Sequence, residues 1–317
     1  MRQIAFLFGL FLSGTAFGAD SQLMNLVMPD AKILAGANET SAVNSPFGQF
    51  ILSKIGQIPQ NFVAGTGFNP LQDVTEVLAA TAADPSNPGG LVLARGTFPV
   101  DKISASLSGG SANWQATTYG GATLIGTSNP NDKVAHAVAF IGSSIALAGD
   151  LASVKAAIDR SSGANSIDPA LAVAVNQLSG SEDEWLVSSV SLGSLIPASA
   201  SATGPAATVL PLLKNIQSLS GGVKFGDNVV FTGEAVANSP QNAAALSAVI
   251  KLGIALGASL TAKNPQLTDL IQLLQTSQIT TNGSEVDLSL SIPESQIEAL
   301  VNSVQATTKT VAAVHRQ

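Results

Sequence analysis

Residues 134–159, VAHAVAFIGSSIALAGDLASVKAAID, decide the fold, because signals for strand, turn, strand and helix follow one another without a break. Gly142-Ser143 reads as the centre of a type II′ turn, which needs a positive φ at its first central residue. That register sets Phe140 opposite Ile145 and Val138 opposite Leu147, so the four are expected to share one face. Asp150 then offers a carboxylate to the free N–H groups of a helix on which Leu151, Val154 and Ile158 form one stripe. The unit is a hairpin with a helix folded back on it.

The same order of elements recurs, beginning near residues 73, 134, 220 and 277. The first copy pairs strands at 74–81 and 91–98 across the turn-rich run Asp84-Pro85-Ser86-Asn87-Pro88-Gly89, and a helix follows at 101–107. The third pairs 222–225 with 229–236 around Asp227-Asn228 or Gly226-Asp227, with the register left open; Ser239-Pro240 then opens an Ala-rich helix to about Leu260, and another helix spans 265–274. The last turns at Asn282-Gly283, a strong hairpin signal, into a strand where Val286, Leu288, Leu290 and Ile292 alternate with Asp287, Ser289 and Ser291. A helix from Pro293 to about 304 closes it.

Two openings precede these units: strand 32–38 with a helix carrying Phe47, Phe50, Ile51 and Ile55, and strand 185–192 with a helix carrying Val209, Leu212, Leu213 and Ile216. Residues 56–70 read as a loop, 114–127 as one or two strands broken at Gly120-Gly121, and 161–168 as a polar link. The first and third units start 147 residues apart, the second and fourth 143 apart. A duplication of about 145 residues accounts for both offsets. The expected fold is α+β, with two similar halves (19–165 and 166–304), each a mainly antiparallel sheet with helices packed on one face. Residues 305–317 are expected to form a flexible tail.

The chain opens MRQIAFLFGLFLSGTAFGAD, with a basic residue at Arg2, an apolar run at 4–12 and small residues at Ala16 and Gly18. That order reads as a secretory signal over residues 1–18. The run is shorter than the roughly 20 apolar residues that cross a bilayer. The mature chain is expected outside the cytoplasm, periplasmic or secreted, without a membrane span. Its charge falls from -7 to -8, because Arg2 leaves and no acid does. An acidic chain is a poor partner for nucleic acid. With no cysteine, disulfides, thiolate catalysis and thiolate metal sites are excluded. Charged residues make up 11 %, so Ser, Thr, Asn and Gln must cover much of the surface.

Acid–base chemistry finds little to use. His315 stands in the tail, and His136 begins a strand with nothing paired to it in sequence. No GxSxG, HExxH or phosphate-loop pattern occurs. Glu182, Asp183 and Glu184 are adjacent, so as strand neighbours they point different ways; a calcium loop needs spaced oxygen ligands and a turn glycine. A solvated strand entry is the expected reading. Arg95, among Leu91, Val92, Leu93 and Ala94, either meets an acidic ligand or snorkels to the surface. No catalytic, cofactor-binding or metal-ligating residue is assigned and no cofactor is expected. Arg95 and His136 are the candidates for contact with a ligand or partner.

The runs GGLVLARGTFPVDKISASL, Tyr119-Gly120-Gly121, AFIGSSIALAGDLASVKAAIDR and EDEWLVSSV, in that order, resemble a family of secreted bacterial proteins defined only as a domain of unknown function. The resemblance spans roughly residues 25–303. It implies an envelope or secreted protein with repeated α+β halves, and it brings no catalytic residues.

Three functions are compatible with these residues. The first is a non-enzymatic envelope protein that binds a partner or has a structural role. The second is a binding protein for a small or lipidic ligand, with an apolar cleft between the halves near Phe47, Phe50 and the helix at 240–260. The third is an acid–base enzyme using Asp, Glu, Tyr119 or Arg95. Cleavage after Gly18 has a direct check: the intact mass of protein recovered from the native envelope should correspond to a chain beginning at Ala19, and a cytosolic chain beginning at Met1 would refute it.

Overall fold

The computed structural model describes residues 18–45, 48–49, 60–84, 89–109, 114–127, 135–163, 167–191, 211–260 and 268–299. Twelve strands form one sheet. In chain order they are β1 (Ile33–Asn38), β2 (Val74–Thr81), β3 (Gly90–Gly96), β4 (Trp114–Tyr119), β5 (Ala122–Thr127), β6 (His136–Ile141), β7 (Ile145–Asp150), β8 (Glu184–Ser188), β9 (Ile216–Lys224), β10 (Asn228–Ala237), β11 (Gln278–Asn282) and β12 (Glu285–Pro293). The helices are α1 (Ser21–Leu26), α2 (Glu39–Asn44), α3 (Gln60–Thr66), α4 (Pro70–Asp73), α5 (Val100–Ser108), α6 (Leu151–Arg160), α7 (Pro169–Ser181), α8 (Pro240–Leu260) and α9 (Thr268–Gln275). Residues 294–299 are also helical.

Across the sheet the order is β11-β12-β10-β9-β8-β1-β2-β3-β7-β6-β5-β4. Every pairing is antiparallel. Outward from the centre the first half runs β1-β2-β3-β7-β6 and the second β8-β9-β10-β12-β11. The two orders are the same, and β4 and β5, at residues 114–127, are extra in the first half. A helix precedes the opening strand of each half, α1 before β1 and α7 before β8. The halves are one sheet, joined where β1 and β8 pair from Ile33↔Ser188 to Ala37↔Glu184.

The hairpin β6–β7 forms as expected, but its register is shifted. Ile141 pairs with Ile145 and Phe140 with Ala146, so three residues, 142–144, make the loop. Gly142 alone takes the left-handed conformation, at φ +59. The extra residue is held because the carbonyls of Ser143 and Ser144 accept from the N–H groups of Phe98 and Gly96, at 2.9 and 3.0 Å. A shift of one residue sends alternate side chains to the other face. Ile145 and Leu147 therefore pack with Ala139, Val154 and Ile158 beneath α6, as expected. Phe140 and Val138 lie on the opposite face, in an aromatic cluster with Phe62, Phe68 and Phe98. Ring centroids there are 5.4 Å apart for Phe68 and Phe98, and 5.6 Å for Phe98 and Phe140.

The aromatic cluster explains two other differences. Residues 60–66, expected as loop, form α3 because Phe62 can be buried there. The Thr66 hydroxyl ends that helix, donating to the Phe62 carbonyl at 2.7 Å and accepting from the Phe68 N–H at 3.1 Å. The first half also carries helices on both faces of its sheet, α6 and α1 on one and α3 and α5 on the other, because its strands are apolar on both sides; α7 continues the first layer over Trp185 and Val187 of β8. Beyond β8 the second half keeps one face apolar, with α8 and α9 against Val229, Ala235, Val286, Leu290 and Ile292. Its other face shows Ser220, Thr232, Glu234, Asp287 and Ser289.

Smaller corrections follow from the same bookkeeping. Ile216 is buried on β9 rather than on a helix. The last hairpin turns on Gly283-Ser284, since Asn282 pairs with Glu285 and only Gly283 is left-handed, at φ +57. Helix α7 was absent from the sequence reading, although Asp168 caps it, Pro169 begins it, and Leu171 and Val175 fall on one buried stripe. Phe47, Phe50, Ile51, Ile55, Val209, the tail and residues 1–17 lie outside the described residues.

The register makes a sharp prediction. Phe140→Ala should cost about 3 to 5 kcal/mol and Leu147→Ala about 2 to 5 kcal/mol, since each side chain is buried. Because they occupy opposite faces and share no partners, the losses should add within about 0.5 kcal/mol in a double mutant followed by urea unfolding. The two-residue turn would instead give a coupling well outside that.

Candidate functional site

Among the described residues, the apolar face of the sheet is walled at both ends and open in the middle. At one end stand α3 and α5 over the aromatic cluster; at the other, α8 and α9. Between them β1, β2, β8, β9 and β10 present a trough of about 550 Å³. Its floor follows from strand pairing: Ala35 stands beside Ala79 and Leu186, and Ala37 beside Val77 and Glu184. Val223 and Phe231 extend it into the second half. The small side chains keep the floor low, and Leu186 is 40 % exposed. Val92, on the same face of the neighbouring β3, is 46 % exposed. Apolar surface left open in this way is a source of binding energy, about 2.5 kcal/mol per 100 Å² covered.

The floor is held from behind. Trp185, on the other face of β8, lies across Gly36, where an added Cβ would meet the indole at 2.4 Å. No larger residue fits Gly36 unless the ring moves. Beside it Asp183, 4 % exposed, accepts from the Lys224 ammonium at 2.9 Å and from the Phe225 N–H at 2.8 Å. The backbone of Asp183 also bonds to Asn38 and Val223, so one residue ties β1, β8 and β9 together.

The three adjacent acids thus divide their roles. Asp183 is buried rather than solvated, because Lys224 and the Phe225 N–H answer its charge. Glu182 turns to the polar face, where its Oε1 accepts from the Thr232 hydroxyl at 3.1 Å. Glu184 borders the trough. Burial raises its carboxyl above the usual range, and the negative charges of Glu39 and Asp183 raise it further.

A second, polar cleft of about 410 Å³ lies on the opposite face, between α7 and strands β9 to β12. Gln177, Ser181, Glu182, Thr232, Glu234 and Asp287 border it. Glu234 is raised by burial and by Glu285 and Asp287. No group of three or more metal-ligating side chains gathers among the described residues.

Arg95 stands on β3, on the face covered by α1. Its Nε and Nη2 donate to Asp20 at 3.0 and 2.7 Å, and Nη2 also donates to Gln22 Oε1 at 2.7 Å. The acidic group it meets belongs to its own chain. His136 is exposed at the start of β6, across from Asp150, on the other face and at the far end of the hairpin from Arg95. The structure does not bring the two together. Tyr119 donates to Asp159 at 3.1 Å at the surface, which raises the phenol's pKa, and Lys155 lies 5.1 Å from its ring centre. The trough was missed as a particular set of residues, since period-two alternation marks an apolar face without saying what covers it. The run Ala35-Gly36-Ala37 was the available signal, being too small to fill a buried face.

This architecture defines the class: an α+β protein with one broad antiparallel sheet and helices packed against it. A solved structure with the same fold is TP0453 in its crystal form IV, at TM-score 0.53 and 10 % identity, covering 89 % of this chain and 97 % of that one. Crystal form III of TP0453 matches at TM-score 0.48 and 10 % identity, over 88 % and 97 %. No family model and no curated protein matches the chain. Among the described residues no helix is long and apolar enough to cross a membrane.

The Arg95–Asp20 pair carries a pH prediction. Burial alone would raise the Asp20 carboxyl, but hydrogen bonds from Arg95 and the Leu23 N–H outweigh it and hold the pKa below its usual value. A depressed folded-state pKa stabilises above the unfolded value, 3.8, and that contribution is lost as pH falls through the folded one. Asp20→Asn should therefore lower the melting temperature at pH 6 and narrow its gap to the wild type in strong acid. An equal gap at both pH values would remove the charge from the account.

Proposed function

We propose that this protein is a non-catalytic, extracytoplasmic binding protein whose ligand is an apolar chain lying in the trough between the two halves. The trough itself carries the reading: a long, shallow, almost wholly apolar floor formed by Ala35, Ala37, Val77, Ala79, Leu186 and Phe231. Ligand sites are mostly apolar with few polar groups that set orientation. Here Glu184 is such a group, and among the described residues no Lys or Arg borders the trough. A neutral or cationic head is therefore favoured over a carboxylate. The secretory start supports placement in the envelope, where such ligands occur as lipids. The resemblance to secreted proteins of the domain family points the same way.

A dansyl-labelled long-chain alkylamide tests this. Its fluorescence should rise saturably on binding. Leu186→Asp and Ala35→Asp, which put a charge on the floor, should each weaken binding at least about tenfold, or about 1.4 kcal/mol. Val173→Asp, at a site 66 % exposed on α7, should leave binding unchanged. Absence of saturable binding, or equal loss in all three variants, would refute the proposal.

A further inference from the structure

The start of the described chain enters a small cavity on the polar side of the sheet, which the trough does not use. Gly18, Ala19, Glu76, Ser179, Glu182 and Asp183 border about 50 Å³ of space there. The Ala19 N–H donates to the hydroxyl of Ser179, itself only 7 % exposed, at 2.9 Å. The next N–H, of Asp20, donates to Glu76 Oε1 at 3.0 Å. Glu182 keeps one oxygen, Oε2, buried without a hydrogen-bond partner. The charges in this region are not balanced. Asp183 is answered by Lys224 and Asp20 by Arg95, which also stands across from Glu76 on the neighbouring strand, but among the described residues no cation forms an ion pair with Glu76 or Glu182. Burial raises the pKa of Glu76, and with the negative charge of Asp20 it outweighs the lowering by the Asp20 N–H bond and by the Arg95 charge.

We infer that this cavity is the binding site for the protein's own new amino terminus, the α-ammonium of Ala19 produced when residues 1–18 are removed. Hydrolysis of the Gly18–Ala19 peptide bond by an endopeptidase that cuts after small residues consumes one water. The Gly18 carboxylate leaves with the leader, and the Ala19 amine stays and takes a proton at neutral pH. An amide nitrogen with one hydrogen becomes an ammonium with three. One continues to meet Ser179 Oγ, and the others face the space vacated by Gly18, bordered by Glu76 and Glu182. The leader's departure thus supplies the missing cation at the place where α7 and β8 of the second half meet α1 and β2 of the first. Export and the final locking of the two halves become one event.

The inference rests on the secretory part of the proposed function and not on the trough. Its test compares a chain beginning at Ala19 with a free amine and the same chain acetylated there. Facing the amine are Glu76 from β2, Glu182 and Asp183 from the turn between α7 and β8, and Asp20, with Lys224 and Arg95 engaged by Asp183 and Asp20. Carboxylates raise the amine above its ordinary value of roughly 7.7 to 8.0. A raised folded-state pKa stabilises below the unfolded value and loses that effect as pH rises through the folded one. The free-amine chain should melt several degrees above the acetylated one at pH 6, and the two should coincide near pH 10. Glu182→Gln should lower the free-amine chain more than the acetylated one. Equal melting at pH 6, or an equal effect of Glu182→Gln on both chains, would overturn the inference at the cavity. An exported protein that does not begin at Ala19 by intact mass would overturn it at the cut, and trough binding would stand apart from either result.

Discussion

Pairing of β1 with β8 is the interaction on which the rest of the structure depends. These are the opening strands of the two halves, brought edge to edge by five matched residue pairs. An unpaired strand edge invites association with other chains, and each half alone would expose one at this position. Joining the edges removes that hazard and makes one sheet of twelve strands. The pairing is reinforced on its covered face by Trp185 lying over Gly36 and by Asp183 reaching Lys224 on β9. A buried carboxylate is costly unless its bonds are satisfied, and Lys224 and the Phe225 N–H satisfy Asp183 within the second half while its carbonyl accepts from the Asn38 N–H across the seam.

From that seam the two faces take different fates. On one, Leu34, Leu78, Leu93, Leu147 and Trp185 are covered by α1, α6 and α7 as a single core. On the other, among the described residues, α3, α5, α8 and α9 cover the outer strands. The joined edges thus create an apolar floor that neither half would own by itself, and its smallest residues lie at the junction. The trough, the buried Asp183 and the cavity around Ala19 are all consequences of joining two similar units at their first strands. They share the same few strands.

Much of this fold was legible in local pattern. Asp150 before Leu151 places a helix start by supplying the oxygen that free N–H groups need, and it does so in the structure; Asp168 before Pro169 carries the same signal, which the reading of 161–168 as a link passed over. Alternation in β12 named its buried residues. Less was legible wherever a distant partner chose between close alternatives. Two hairpin turns shifted by one residue: Ser143 and Ser144 are bonded to the exit of β3, and Asn282 stays in its strand. Helix α3 exists because Phe62 meets an aromatic cluster assembled from four other elements.

By itself, the sequence determined the α+β class, the antiparallel hairpins and the order in which they repeat, because caps, turn residues and side-chain period act over a few neighbouring residues. Tertiary structure alone decided that the halves share one sheet, which faces are covered, and that Arg95 meets Asp20 across 75 positions while Asp183 is buried against Lys224. Those outcomes depend on contacts between residues far apart in the chain, whose energies appear only once the seam between β1 and β8 has closed.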